Sequence, residues 1–169
     1  PTIIQELGVD KKDFLKVGLI STIPWGLAAI FMVYWGAHSD KTGERRWHVA
    51  GSLVMTMVGL ILLAVAGKSP LPAMVGLTIV AAGSLAFVST FWSLPTAFLT
   101  GTAAAGGIAL INSIGNLGGH FGPDLIGRIR ALSNGATEAA FWSLAAMAFV
   151  GMLLTLWVSR RALVRLESE

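Results

Sequence analysis

Gly36-Ala37-His38-Ser39-Asp40-Lys41-Thr42-Gly43-Glu44-Arg45-Arg46 decides how this chain is read, because it is the densest charge cluster in an apolar sequence and lies between two long hydrophobic runs. Asp40, Lys41, Glu44, Arg45 and Arg46 supply the charge; Gly36, Ser39 and Gly43 supply small, turn-forming positions. Such a cluster predicts a tight loop that leaves one membrane helix and feeds the next.

Working outward, apolar residues make up 54% of the chain and charged residues 12%, about half the charge of an ordinary soluble domain. The apolar runs are too long and too numerous for a signal peptide, which makes them mature spans. With no cysteine, disulfides, thiolate metal sites and cysteine nucleophiles are excluded within the chain. The net charge of +3 forms no continuous basic stripe, so nucleic acid is not an expected partner; the lipid bilayer is.

Residues 1–7 read as the tail of a helix whose beginning is absent, and a fragment is expected. The first complete span is expected at 14–37, interrupted by Pro24 and Gly26. The uncharged run 49–67 has the length that crosses hydrocarbon. From Ser69 to Pro123 the only titratable side chain is His120; that run is too long for one span and suits two, at 71–99 and 102–132, with a break near Thr100-Gly101-Thr102. Ser133-Asn134-Gly135-Ala136-Thr137 is a turn, and 138–159 is the last span. The expected fold is therefore an all-α polytopic membrane helix bundle with five complete spans and the end of a sixth. Basic residues are balanced between the two sides. Lys41, Arg45, Arg46, Arg160, Arg161 and Arg165 lie closer to span ends than Lys11, Lys12, Lys16, Lys68, Arg128 and Arg130, which favours the first group as cytoplasmic.

Within the spans, Ser89, Trp92 and Ser93 share one helical face at i, i+3 and i+4, and Asn112 and Asn116 share another at i and i+4. If the two faces meet across a cavity, amide, hydroxyl and indole groups can bind the oxygens of a small solute; the alternative is hydrogen bonding to neighbouring helices. The pairs Gly115/Gly119 and Gly118/Gly122 predict close helix packing. Asp124 and Arg128, at i and i+4, form either an interfacial ion pair or a gate contact. No nucleophile with its base, phosphate-binding loop, cofactor motif or metal site is recognisable, so no catalytic residue is assigned and an enzyme is not expected.

The pattern Gly-x-x-x-Asp-Lys-x-Gly-x-Arg-Arg at 36–46 resembles the cytoplasmic signature loop of the major facilitator superfamily, in the version between its eighth and ninth helices. The stretches 1–4, 36–47, Phe91-Trp92-Ser93-Leu94-Pro95 and 107–119 are similar to its anion:cation symporter branch, the tartrate, phthalate and hexuronate type transporters. The resemblance covers essentially the whole chain. It implies the C-terminal half of a twelve-helix secondary transporter in the inner (plasma) membrane, with 38–48 and the C-terminus cytoplasmic. It further implies a small organic anion as substrate, held near the midplane by Asn112, Asn116, Ser89, Trp92 and Ser93, and alternating access governed by a latch of Gly36, Asp40, Lys41, Gly43, Arg45 and Arg46. Asp40 is expected at the N-terminus of the helix that begins near Thr102. The acid that carries the coupling ion, expected to be a proton, and the cationic residue that holds the anion would lie in the missing N-terminal half. An efflux transporter for apolar compounds and a transporter-like solute sensor are the alternatives.

Overall fold

The computed structural model describes residues 14–67, 69–99 and 101–166, with side-chain surroundings for all of these except 14–17, 19–21, 70, 97, 98 and 159–166. Every regular element among them is an α-helix: α1 Phe14–Thr42, α2 Arg45–Ala66, α3 Pro70–Phe91, α4 Ser93–Phe98, α5 Gly101–Leu132 and α6 Thr137–Leu166. Three helical stretches, Arg45–Ala66, Leu71–Thr96 and Thr137–Val158, are long and apolar enough to cross a membrane.

Helix α1 outlasts its apolar run and carries most of the charged stretch, leaving only Gly43 and Glu44 between α1 and α2. The reversal is this tight because Gly43 takes φ +69°, a conformation that costs other residues strain. Its N–H donates to the Ser39 carbonyl at 3.0 Å, and the Thr42 hydroxyl donates to the His38 carbonyl at 3.1 Å, so the end of α1 is closed by its own last turn. The loop expected from the charge density is therefore mostly helix.

The expected 71–99 span is divided at Trp92. Pro95 has no N–H to offer the Phe91 carbonyl four residues earlier, which weakens the helix at that point. Hydroxyls take up neighbouring carbonyls: Ser93 Oγ donates to Thr90 O at 2.6 Å and Thr96 Oγ1 to Trp92 O at 3.0 Å.

Helices α2 and α3 form the centre, α1 packs against α3 on one flank, and α6 against α2 on the other. Small side chains let the backbones approach. Ala28, Ala81 and Ala82 are buried beneath Phe31, Met55 and Leu85; Leu63, Ala66 and Ala73 are buried beneath Leu77, Val80 and Phe141. The tightest crossing is α2 on α3, where a Cβ on Gly59 would lie 2.7 Å from the Val80 nitrogen and one on Gly83 would lie 2.7 Å from the Thr56 nitrogen. These glycines, rather than the Gly115/Gly119 and Gly118/Gly122 pairs of α5, make the close helix packing: those four have no neighbour near the Cβ position among the described residues. Helix α5 buries none of its residues and touches the bundle chiefly through α4 and α6.

Candidate functional site

Two arginines open α2, at the end of the helix where the dipole disfavours cations. Each has a contact that accounts for its place. Arg45 reaches across to α4 and donates from Nη1 to the Ser93 carbonyl at 3.1 Å, tying the α1–α2 turn to the break after α3. Arg46 turns the other way and lays its guanidinium over the Trp47 ring, 4.9 Å from the centroid.

Behind this turn lies an aromatic cluster that a reading of sequence spacing does not find. His38 on α1 and His48 on α2 are joined through Nδ1 and Nε2 at 2.7 Å. His48 Nδ1 lies 2.9 Å from the Glu44 carbonyl, which only accepts, so Nδ1 carries a proton and Nε2 is the nitrogen left to pair with His38. The His48 carbonyl accepts from Trp35 Nε1 at 3.1 Å and from the Ser52 hydroxyl at 2.8 Å. Trp35 also meets the His48 ring edge-on and stacks on Phe31. The available signal was two histidines ten residues apart, one on each side of a two-residue reversal.

Of the expected latch residues, Gly36 sits against Ser89, whose Oγ lies 3.6 Å from where a glycine Cβ would be, so α1 and α3 cross closely here. Gly43 makes the reversal, and Arg45 makes the bond to α4. Asp40 and Lys41 are exposed, and among the described residues neither has a side-chain partner; the expected contact of Asp40 with the start of α5 is not formed.

The two expected polar faces lie apart. The hydroxyls of Ser89 and Ser93 donate to their own helix, to Ala86 O at 2.9 Å and Thr90 O at 2.6 Å. Trp92 is half-buried, edge-on to Phe91. Ser89 adjoins Gly36 and Ser93 adjoins Arg45, which places this face near the α1–α2 turn. Asn112 and Asn116 are 11 and 15 residues into α5, about 17 and 23 Å along its axis at 1.5 Å per residue. Ile111 faces a groove shared with Phe91, Leu94, Pro95, Leu99, Leu154, Thr155 and Val158. At about 100° per residue, Asn112 and Asn116 point roughly 100–140° away from that groove. Both are exposed and have no hydrogen-bonding partner among the described residues. Leu110, Ile114, Leu117 and Phe121 occupy the opposite face of the same helix, also exposed.

Asp124 and Arg128 are paired, Arg128 Nε donating to Asp124 Oδ2 at 2.9 Å, with side chains 61% and 75% exposed. Among the described residues no group of three histidine or carboxylate side chains is arranged to hold a metal.

A family model described as Major Facilitator Superfamily matches residues 1–169. A "Putative tartrate transporter" of Agrobacterium vitis is 43% identical over 162 residues, which is 96% of this chain and 36% of that protein. The "Inner membrane transport protein RhmT" of Escherichia coli K12 is 38% identical over 95% of this chain and 37% of its own length. A "Quinolone resistance transporter" of Acinetobacter baumannii is 33% identical over 92% of this chain and 35% of its own length. The chain thus spans about a third of the length of the curated relatives it matches. No solved structure gives a significant match.

Proposed function

The chain belongs to the major facilitator superfamily, and it is part of a multi-pass membrane transporter rather than an enzyme; from that premise we propose that it forms the C-terminal half of a secondary transporter for a small organic anion. The observation that carries the proposal is the pair Asn112 and Asn116: two amides on one face of α5, turned away from the groove their helix shares with α4 and α6 and unpaired among the described residues. Polar side chains inside a membrane face a bundle interior or an aqueous path, because lipid offers them no partner. In the proposal this face looks onto the half that lies outside the chain, and the two amides donate to carboxylate and hydroxyl oxygens of a solute held between the halves.

Ser89, Trp92 and Ser93 belong to the cytoplasmic portion of the same path, since they adjoin the α1–α2 turn. Opening and closing of that side is governed by Gly36, Asp40, Lys41, Gly43, Arg45 and Arg46. The Arg45 bond to Ser93 O holds the turn against the α3–α4 break, and Asp40 engages the start of α5 in the alternate state. Asp124 and Arg128, at the opposite end of α5, serve as the outer gate pair. The turn and the C-terminus face the cytoplasm, the membrane is the inner membrane, and the driving ion is a proton bound by the other half. Tartrate, the solute in the Agrobacterium vitis relative's name, is the first substrate to test.

A second reading is favoured by the quinolone relative and by the apolar groove, about 390 Å³, between α4, α5 and α6: efflux of apolar compounds. Membrane vesicles containing the full-length transporter separate the two. Accumulation of radiolabelled tartrate or a sugar acid, with no effect on a lipophilic dye, supports the anion reading; dye movement without tartrate accumulation overturns it. Tartrate binding without accumulation would point to a sensor.

A further inference from the structure

Between α2 and α6 lies a groove of about 720 Å³ lined by Arg46, Trp47, Val150, Leu153, Leu154, Leu156 and Trp157. Among the described residues its walls are apolar side chains apart from the Arg46 cation at one end. The buried Arg46 Nε–H donates to no acceptor among the described residues, a costly state for a charged donor. Arg45, the adjacent residue, is committed inward to the Ser93 carbonyl, so the two arginines of the signature stretch divide their work.

We propose that this groove binds an anionic phospholipid, the phosphate on Arg46 and one acyl chain along Val150, Leu153 and Leu154. The charge pattern selects the occupant. A guanidinium fork matches phosphate geometry and makes short charge-assisted bonds to it. The apolar length beyond it suits hydrocarbon and offers no partner to a soluble anion. Trp47 and Trp157 flank the Arg46 end, and tryptophan concentrates where hydrocarbon meets headgroups, which sets that end of the groove at headgroup depth. The site also has a mechanical consequence. A phosphate on Arg46 neutralises a cation that opposes the α2 dipole, and it does so one residue from the bond that ties the turn to α4. Bound lipid therefore steadies the α1–α2 turn from outside.

The test is native mass spectrometry of the intact transporter in detergent, titrated separately with phosphatidylglycerol and phosphatidylcholine. Wild-type protein is expected to retain phosphatidylglycerol more tightly. Arg46→Gln should lower that affinity about fivefold, the worth of one basic residue at an anionic surface, and leave phosphatidylcholine unchanged. Leu153→Trp, which fills the groove and leaves the charge, should weaken both lipids, and it serves as the test if Arg46→Gln does not fold. Three results overturn the proposal: no preference between the lipids in the wild type, equal phosphatidylglycerol retention by either variant and the wild type, or a dimer that Leu153→Trp dissociates, which would assign the groove to a second copy. Binding of inorganic phosphate as tight as that of phosphatidylglycerol would also overturn it, because the acyl chain would then contribute nothing.

Discussion

Replacing Arg45 with glutamine removes the donor that joins the start of α2 to the Ser93 carbonyl across 3.1 Å. Hydrogen bonds from a charged donor contribute about 1.5–3 kcal/mol. This one belongs at the lower end, because the same carbonyl also accepts from Thr96 Oγ1 at 3.3 Å and keeps a partner after the change. A loss of about 1.5 kcal/mol corresponds to a fall in melting temperature of about 3–6 °C if this half melts as a unit of its size. Thermal unfolding of the purified transporter, followed by tryptophan fluorescence, measures it. Arg45→Lys should lose less, because an ammonium still donates but without the planar fork. Ser93→Ala is the decisive control: it leaves the carbonyl in place and removes only the hydroxyl's bond to Thr90 O, so it should cost about 1 kcal/mol or less. Arg45→Gln melting with the wild type would refute the bond as a structural tie. Ser93→Ala falling as far as Arg45→Gln would show that the hydroxyl, not the carbonyl, carries the effect.

Three further outcomes follow from other parts of the structure. Gly83→Val should destabilise by about 3 kcal/mol or prevent folding, since even a Cβ meets the Thr56 nitrogen at 2.7 Å and the Ser52 carbonyl at 2.9 Å; a normal melting profile would contradict the α2–α3 crossing. The proposed latch, in which the exposed Asp40 carboxylate gains its partner in the alternate state, predicts that Asp40→Asn slows turnover several-fold and leaves solute affinity near normal; stopped-flow exchange beside equilibrium binding separates the two, and normal turnover counts against the latch. Asp124→Asn should change stability by less than about 1 kcal/mol, as expected for a pair this exposed. Loss of transport with unchanged melting would then mark the pair as a gate, and unchanged transport would leave it an interfacial contact.

The parts of the fold that were legible in the sequence are those set by hydrophobic length and local chemistry. The all-helical character, the break before Gly101 and the turn at Ser133–Thr137 follow from where apolar runs stop and where glycine and asparagine permit reversal; Asn134 and Gly135 do take positive φ. The helical character of 36–42 was hidden because charge density signals a loop, whereas a helix can run past the membrane edge until a left-handed glycine stops it. The division at Trp92 was visible in Pro95, yet apolar continuity outweighed it. Partnerships across space were not legible: the bond between His38 and His48, the Arg45 contact with Ser93 O, and the service of Gly59 and Gly83 at the tight crossing depend on helix rotation and depth. The same limit explains why the serines of α3 and the asparagines of α5, similar as isolated patterns, lie at different depths and face different surroundings.

Whether the asparagine face of α5 holds the solute is decided by the kinetics of radiolabelled tartrate uptake by Asn112→Ala in vesicles of the full-length transporter. Losing one hydrogen bond to a charged oxygen should raise the apparent KM about 10-fold or more and leave the maximal rate within about twofold, at equal amounts of protein in the membrane. An unchanged KM, or a fall in maximal rate with KM unmoved, would contradict a solute held there.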